Sequence, residues 1–487
     1  MTSDSEEGTN QMELPHHVPK ISTGIRGLDQ VLHGGVPKGA LTLLGGGPGT
    51  GKTMLSLEFL VRGVENGAPG IMLTFEEREA DLRNYAAGLD WDLSALEKQG
   101  SLALISARIQ PDAVISGDFD LRGILGILRQ KAEALQARRI VVDAPDVFLR
   151  LLDDMAKERK ELYALREWLR DTGLTAIMTV KGRKKDPFSS PYGFLDYMAD
   201  CVIHLGQRVL DQITTRRLRV IKYRGSAYGR NEYPFCITDR GTWIIPVTEA
   251  SLGHRAFGEP VSSGVAELDE ILGGGYLRNS CTLLSGGAGT GKTTFACSFA
   301  LAATSNDERV LYLDFEESWD ALVSCMLSPG LDLRPTREAG LLRFLSTMPE
   351  SQGVEKHLIQ AFRAIEDFQP DHLVLDAISA CRRMGSRKGA FDYLIRLVDY
   401  CKERGITILL TNLTSASARR EEITGIDLSS IIDAVIMLRN IEEEGSFRRK
   451  LGIVKARGRD HSPHIHDFQI TDHGIEISRE EMADGEG

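Results

Sequence analysis

The sequence lacks several features that would assign the protein to a specialised class. No apolar run reaches the roughly 20 residues that a membrane-spanning helix needs, and Met1–Lys20 has neither the basic start nor the apolar stretch of a signal peptide. The seven cysteines include no CxxC pair and are odd in number, which argues against a disulfide framework. We therefore expect a soluble cytoplasmic protein.

The chain also lacks an excess of positive charge, because its 69 acidic residues outnumber its 58 lysines and arginines. The 487 residues carry a formal net charge of −11, so no overall basic surface draws the chain to nucleic acid or to anionic lipid. The composition is that of an average globular protein, with 42% hydrophobic and 26% charged residues, which excludes a disordered or collagen-like chain.

Two stretches of the chain are related copies. Residues 21–60 and 261–300 align at a constant offset of 240 with 18 identities in 40 positions. Later landmarks align at an offset of 233, among them Asp143 with Asp376 and Asp200 with Asp433. Two homologous domains therefore fill most of the chain. The expected division is a flexible tail (1–18), a first domain (19–247), a linker (248–260), a second domain (261–479) and an acidic tail (480–487).

Apolar strand-like runs alternate with helical stretches in each repeat. In the first repeat, Gly70–Thr74 and Arg139–Val142 are short and apolar, and Leu121–Gln136 between them is amphipathic. This alternation predicts an α/β fold with a mainly parallel sheet flanked by helices. Arg217–Tyr223 and Tyr233–Ile237 alternate like antiparallel strands, so we expect a C-terminal β extension on each core.

Each repeat contains a glycine-rich motif of the form GxxxxGK[ST], at residues 46–53 and 286–293. Both copies follow a predicted strand and open a predicted helix, the context in which this motif binds nucleotide phosphates through backbone N–H groups. The alternative, a glycine-rich turn with a solvated lysine, is disfavoured by the recurrence in register. The predicted ATP-binding residues are Gly49, Thr50, Gly51, Lys52, Thr53, Gly289, Thr290, Gly291, Lys292 and Thr293.

Carboxylates end other predicted strands in both repeats. Asp143 and Asp376 end apolar strands, where such an acid can hold Mg²⁺ together with Thr53 and Thr293, although it can also cap a helix. The pairs Glu76-Glu77 and Glu316-Glu317 follow further strands. A glutamate beside the terminal phosphate can deprotonate an attacking water or hydroxyl; the alternative is that these acids only favour the start of the next helix.

These motifs together resemble the KaiC family of tandem RecA-like P-loop ATPases, known from the bacterial circadian clock. The resemblance rests on STGIRGLDQVLHGG, the P-loops, Phe-Glu-Glu, the strand-terminal Asp and Lys-x-Arg-Gly, each present twice, and covers about residues 19–478. It implies ATP and Mg²⁺ as cofactors and a double-ring homohexamer. The first ring would be a slow ATPase and the second an autokinase, with the paired glutamates as catalytic carboxylates.

The resemblance also assigns residues that act between subunits. It implies that Lys222, Arg224, Lys455, Arg457 and His461 contact the nucleotide of a neighbouring subunit. The K-x-R spacing puts both side chains of a pair on one face of a strand, and an Arg supplied in trans can stabilise phosphoryl transfer. An exposed strand end with solvated cations is the alternative interpretation.

The phosphoacceptors of the family correspond here to Ser429 and Ser430. The first repeat has Asp196-Tyr197 at that position, so the acceptors would belong to the second ring, with Glu317 as the base. Alternatively, Asp427 or Ser429 caps a helix over Ser430–Met437.

The sequence departs from the clock proteins at two points. The acceptor pair is Ser-Ser rather than Ser-Thr, and the chain ends soon after Ile477, where those proteins continue with a segment that binds the activator KaiA. We therefore expect autokinase activity without a KaiA-type activator, whereas the resemblance leaves room for a KaiB-like partner on the first ring.

The competing hypothesis is a DNA-dependent RecA-like ATPase, a recombinase or helicase-type motor. The chain has no zinc ribbon and no basic N-terminal module, and its most basic loop, Lys181–Lys185, is typical of a solvated turn. Nucleic-acid binding is therefore not expected. A non-hydrolysing scaffold is disfavoured because both glutamate pairs are intact.

Overall fold

The structure is a computed structural model that describes residues 18–107, 121–150, 152, 154–182, 193–210, 213–246, 256–414, 431–443 and 445–478. Two compact units divide the chain, one built mainly from residues 18–208 and 214–246 and the other from residues 256–478. In these ranges, no helix combines the length and the apolar character that crossing a membrane would require.

The first domain is built on a sheet with the strand order β11-β10-β9-β8-β3-β7-β6-β4-β5. The strands from β8 to β5 run parallel, and β10 is antiparallel to β9 and β11. The strands are β1 (Lys20–Ile21), β2 (Val36–Pro37), β3 (Leu41–Gly46), β4 (Gly70–Thr74), β5 (Leu102–Ser106), β6 (Arg139–Asp143), β7 (Thr175–Lys181), β8 (Cys201–Leu210), β9 (Ile213–Tyr223), β10 (Glu232–Thr238) and β11 (Gly241–Ile244). The helices are α1 (Leu28–Val31), α2 (Lys52–Glu65), α3 (Glu79–Ala87), α4 (Leu93–Lys98), α5 (Leu121–Leu135), α6 (Asp146–Leu149), α7 (Met155–Thr172) and α8 (Gly193–Met198).

Helices cover both faces of this sheet, which explains why its parallel strands are apolar throughout. Leu44 of β3 packs in one core with Leu57 of α2, whereas its neighbour Leu43 packs in another core with Leu128 of α5 and Leu165 of α7. Successive strand side chains point to opposite faces, so a strand that is covered on both sides cannot show a polar alternation.

The second domain repeats this architecture, with the strand order β16-β15-β17-β18-β14-β19-β20-β21-β22. The strands from β16 to β19 are parallel, and β20 to β22 follow in antiparallel pairs. The strands are β12 (Pro260–Val261), β13 (Tyr276–Leu277), β14 (Cys281–Gly286), β15 (Val310–Asp314), β16 (Leu342–Ser346), β17 (His372–Asp376), β18 (Thr407–Leu413), β19 (Ala434–Glu443), β20 (Ser446–Ala456), β21 (Ile465–Thr471) and β22 (Gly474–Ile477). The helices are α9 (Ala266–Ile271), α10 (Lys292–Ser305), α11 (Trp319–Met326), α12 (Arg334–Glu338), α13 (Val354–Phe368) and α14 (Arg387–Arg404), with 3₁₀ helices at Pro349–Ser351 and Ile378–Met384.

The predicted fold class is confirmed: two α/β domains, each with a mainly parallel sheet, flanking helices and a C-terminal β extension. The alternative of a capped helix over Ser430–Met437 is wrong, because residues from Ala434 onwards form β19, which pairs in parallel with β14. Central position in the sheet overrides the weak helical pattern of this segment.

The topology determines where a ligand can bind. In each domain the glycine-rich loop follows a strand in the middle of the sheet, β3 between β8 and β7 and β14 between β19 and β18. The carboxyl ends of parallel strands lie along one edge of the sheet, where α/β proteins bind ligands. The segments after β3, β4, β6 and β7 therefore meet at one edge.

Candidate functional site

The glycine-rich loop of the first domain connects β3 to α2. Its backbone takes left-handed conformations at Gly49 and Gly51, with φ of 70° and 98°, which glycine adopts far more readily than other residues. A Cβ atom at Gly51 would also lie 2.5 Å from Ile237 Cδ1. Helix α2 begins at Lys52, so its first N–H groups face the loop and can bind an anion.

The second domain repeats this loop between β14 and α10. Gly289 and Gly291 have φ of 72° and 94°, and a Cβ atom at Gly291 would lie 2.8 Å from Ile470 Cδ1. The hydroxyl of Thr290 donates to the Gly287 carbonyl at 2.9 Å, as Thr50 does in the first loop at the same distance. The two loops are therefore built in the same way.

Both loop lysines fold back over their own loops. Lys52 Nζ donates to the carbonyl oxygens of Gly46 and Gly47 at 2.9 and 2.8 Å, and Lys292 Nζ makes the equivalent bonds at 3.1 and 2.8 Å. Burial lowers the pKa of both lysine side chains. An ammonium group next to a curl of backbone donors fits a polyphosphate, whose oxygens would replace these carbonyl contacts.

The last threonine of each loop contacts the acid at the end of another strand. Thr53 Oγ1 donates to Asp143 Oδ2 at 3.4 Å, and Thr293 Oγ1 donates to Asp376 Oδ2 at 2.8 Å. A second threonine, on β7 or β18, donates to the other oxygen of each carboxylate. The Asp143 carboxylate is buried, which raises its pKa, and it accepts hydrogen bonds from both threonine hydroxyls.

This pairing of hydroxyl and carboxylate fits Mg²⁺ in a nucleotide complex. Magnesium in such sites takes one or two protein ligands and completes its octahedron with phosphate oxygens and water. Among the described residues, no group of three or more His, Cys, Asp or Glu side chains is arranged to hold a metal ion by itself. The donor set therefore suits a metal ion that arrives with its nucleotide.

The first glutamate pair is positioned by the end of β4. The N–H groups of Glu76 and Glu77 both lie within hydrogen-bond distance of Thr74 Oγ1, at 3.3 and 3.1 Å. Glu76 Oε1 lies 3.1 Å from Lys181 Nζ at the end of β7. Glu77 Oε2 accepts a long hydrogen bond of 3.4 Å from the Tyr85 hydroxyl.

The second glutamate pair is positioned by a carboxylate instead. The N–H groups of Glu316 and Glu317 donate to Asp314 Oδ1 at 2.7 and 2.6 Å, and burial raises the pKa of Asp314 to about 7. Burial also raises the pKa of Glu317, and the charges of Asp376 and Glu316 add to the effect. The sequence analysis missed Asp314, although the repeat alignment places it opposite Thr74.

The cation beside the leading glutamate differs between the domains. In the first domain it is Lys181, whereas in the second it is Arg383, whose Nη2 lies 3.8 Å from Glu316 Oε1 and whose Nε lies 2.8 Å from Glu350 Oε1. Neither cation was predicted at the site, because neither belongs to a motif with a fixed spacing.

The predicted intersubunit cations are held by their own chain. Lys222 Nζ donates to the carbonyl oxygens of Asp196 and Ala199, at 2.7 Å each, and Lys455 Nζ donates to that of Ile432 at 2.6 Å. Burial lowers the pKa of both lysines. Arg224 and Arg457 lie 3.4 and 3.7 Å from the carboxylates of Asp200 and Asp433, and His461 Nδ1 lies 3.0 Å from the Ser462 carbonyl oxygen.

These cations do not approach the glycine-rich loop of their own domain. Asp200 Oδ2 contacts the backbone N–H of Leu41, the first residue of β3, at 3.5 Å, and Arg224 N–H donates to the Asp200 carbonyl at 2.8 Å. The glycine-rich loop follows the last residue of the same strand, Gly46. The six residues of β3 span about 17 Å at 3.3 Å per residue. The structure thus brings each loop, its acid and its glutamates together, and leaves the Lys-x-Arg pair at the opposite edge.

Two predictions concern residues outside the described ranges. The predicted phosphoacceptors Ser429 and Ser430 lie there, and so do residues 183–185 of the basic loop. The first residue of that loop, Lys181, contacts Glu76 at the candidate site, which gives this cation a role other than the one considered for nucleic acid.

Two domains with this sheet topology, each with a phosphate-binding loop, an adjacent acid and a glutamate pair, define a tandem P-loop ATPase. A model of the KaiC ATPase family matches residues 21–249 and 261–482. The chain therefore belongs to the KaiC family, as the resemblance predicted, and it binds and hydrolyses ATP.

Curated relatives agree over nearly the whole chain. The circadian clock protein KaiC2 of Synechocystis is 35% identical over 96% of this chain and 83% of its own length. KaiC3 of the same organism is 33% identical over 95% of this chain and 92% of its own length. The circadian clock oscillator protein KaiC of Synechococcus elongatus is 33% identical over 98% of this chain and 92% of its own length.

Proposed function

We propose that this protein is a KaiC-like, Mg²⁺-dependent ATPase and serine autokinase that works in the cytoplasm as a hexameric timing or signalling hub. The observation that carries the proposal is the geometry repeated in both domains: a glycine-rich loop, a threonine–aspartate contact and a glutamate pair at one edge of the sheet. The domain limits 19–247 and 261–479 are part of this proposal.

In the first domain the reaction is the hydrolysis of ATP. Glu76 or Glu77 accepts a proton from water, whose oxygen bonds to the terminal phosphorus while the bond between phosphorus and the ADP oxygen breaks. Lys52 and the loop N–H groups bind the phosphates. Thr53 and Asp143 would hold Mg²⁺, which would supply positive charge to the phosphate oxygens.

In the second domain a serine hydroxyl takes the place of water. Glu317 accepts the hydroxyl proton of Ser429 or Ser430, the serine oxygen bonds to the terminal phosphorus, and ADP leaves. A base works best when its pKa is close to the ambient pH, and burial raises the pKa of Glu317 towards that range.

The position of the Lys-x-Arg pairs supports an assembly of several subunits. Lys222 and Arg224 lie about one strand length, or about 17 Å, from the glycine-rich loop of their own domain. They can serve a nucleotide only if another subunit presents it. A head-to-tail contact that repeats around a closed ring gives every nucleotide such a neighbour.

The experiment is incubation of the full chain with γ-labelled ATP and Mg²⁺, following released phosphate and protein-bound label together. We expect label on Ser429 or Ser430, lost in Glu316→Gln/Glu317→Gln but kept in the matched Glu76→Gln/Glu77→Gln variant. The second variant should instead lose most of the phosphate release. Phosphate release without protein label would refute the autokinase and leave the ATPase.

A further inference from the structure

Asp146, three residues after Asp143, carries a buried carboxylate that the proposed reaction does not use. Its side chain is 1% exposed, and no donor from another described residue makes a hydrogen bond to either carboxylate oxygen. Arg150 Nη2 lies 3.5 Å from Oδ2, but the Arg150 side chain is 60% exposed. A buried carboxylate without hydrogen bonds destabilises the fold, so its presence calls for an explanation.

Lys181 lies at the end of β7, the strand that pairs with β6, from which Asp146 follows three residues later. As the last residue of β7 it pairs in register with Gly46 of the glycine-rich loop, and its Nζ lies 3.1 Å from Glu76 Oε1. Burial raises the pKa of Asp146, and the Lys181 ammonium is the strongest of the influences that lower it. Lys181 therefore contacts Glu76 and is close enough to the buried Asp146 for its charge to act on that carboxylate.

The second domain replaces both charges at once. Ser379 stands three residues after Asp376, as Asp146 does after Asp143, and Leu413 pairs in register with Gly286 as Lys181 does with Gly46. The Leu413 N–H donates to Ser379 Oγ at 3.4 Å. The acid and the lysine thus occur together in the first domain and are absent together from the second.

We propose that Asp146 is a positioning residue of the first-domain site: on nucleotide binding it takes Lys181 from Glu76 and leaves Glu76 free to accept the proton of the attacking water. Attraction between unit charges is several times stronger in a buried setting than in water. Asp146 faces the exposed Arg150 but accepts no hydrogen bond from another described residue, so it offers Lys181 a strong second partner. The inference rests on the proposed function, because it requires Glu76 to act in hydrolysis.

The test is a double-mutant cycle in the full chain carrying Glu316→Gln and Glu317→Gln, so that phosphate release reports the first site. Asp146→Ser leaves Lys181 on Glu76 and should lower kcat about tenfold. Lys181→Leu removes the cation from Glu76, so its kcat should stay within about threefold of the parent. The double variant copies the uncharged pair of the second domain and should recover to within about threefold of the parent. KM and the affinity for a fluorescent ATP analogue should stay within about twofold in all three, which separates positioning from binding.

Three controls make the outcome decisive. Asp146→Asn keeps the shape of the side chain without its charge and should behave like Asp146→Ser. Arg150→Gln should stay within about twofold of the parent, and a loss as large as that of Asp146→Ser would overturn the proposal in favour of an Arg150 partner. A double variant as slow as Asp146→Ser would also overturn it. If Glu76→Gln/Glu77→Gln kept full hydrolysis in this background, the proposed function itself would fail.

Discussion

Thr74 and Asp314 occupy the same place in the two domains, yet one is a neutral hydroxyl and the other a carboxylic acid. Both accept the N–H groups of the glutamate pair that follows. Asp314 is 2% exposed, and burial raises its pKa to about 7 from an ordinary value of 3.8. Because the folded state disfavours the charged form, Asp314 contributes most to stability below about pH 4, and the contribution falls as the pH rises to about 7.

Asp314→Thr should remove this pH-dependent loss. The hydroxyl can accept the same two N–H groups, as Thr74 does, without a buried charge. Relative to wild type, the variant should therefore gain stability as the pH rises from 4 to 8, by up to about 4 kcal/mol. Thermal unfolding midpoints of the two proteins across this range measure the difference.

The reciprocal exchange, Thr74→Asp, is the matched control in the first domain. It should introduce a pH-dependent loss of stability into the first domain. Unfolding curves that shift with pH in parallel for wild type and Asp314→Thr would contradict the raised pKa of Asp314.

At the scale of the element, strands and loops defined by local pattern could be predicted from the sequence, whereas contacts between elements could not. The apolar runs that became β3, β4 and β6 and the glycine-rich motifs depend on neighbouring residues and repeat in register. Lys181 and Asp146 lie at the same edge only because β6 and β7 are adjacent in the sheet. The alternative of a helix over Ser430–Met437 is wrong for the same reason. Residues from Ala434 onwards form a strand because they pair with β14 on one side and with β20 on the other.

Arg139 is another residue whose role depends on packing between elements. It begins the apolar strand β6, is 4% exposed, and its guanidinium lies 4.5 Å from the ring centroid of Phe59 on α2. It also donates to the carbonyl oxygens of Phe59 and Ser22 at 2.7 and 2.8 Å. In the second domain His372 begins β17 and packs against Phe299, 5.2 Å between ring centroids. Each pair joins the sheet to the helix that follows the glycine-rich loop.

Arg139→Met should therefore destabilise the first domain by about 2–4 kcal/mol, because it removes the hydrogen bonds to the carbonyl oxygens of Phe59 and Ser22 and the contact with the Phe59 ring. The neighbouring Arg138 is exposed, and Arg138→Met should change the free energy of unfolding by less than about 0.5 kcal/mol. Calorimetric unfolding of both variants provides the comparison. Equal effects of the two substitutions would show that the buried contacts of Arg139 add little.

At the scale of the whole molecule, the position of the Lys-x-Arg pairs predicts that the first site is completed by two subunits. Lys52→Ala should abolish hydrolysis there by removing the phosphate-binding lysine, and Lys222→Ala/Arg224→Ala should lower it at least tenfold by removing cations supplied to the neighbour. Neither variant alone has an intact site. Mixed in equal amounts, they form interfaces in which an intact loop from one subunit meets an intact Lys-x-Arg pair from the other.

Random mixing in a head-to-tail ring makes about one interface in four fully intact, so the mixture should recover up to about a quarter of the parent rate. The measurement is phosphate release in the Glu316→Gln/Glu317→Gln background, with sedimentation confirming that both variants assemble like the parent. If the mixture only averaged the two inactive variants while subunits exchanged, Lys222 and Arg224 would serve their own chain, through the carbonyl oxygens of Asp196 and Ala199 and the carboxylate of Asp200. Recovery on mixing therefore tests the assembly and the site together, because only an interface between subunits can join residues that lie a full strand apart in one chain.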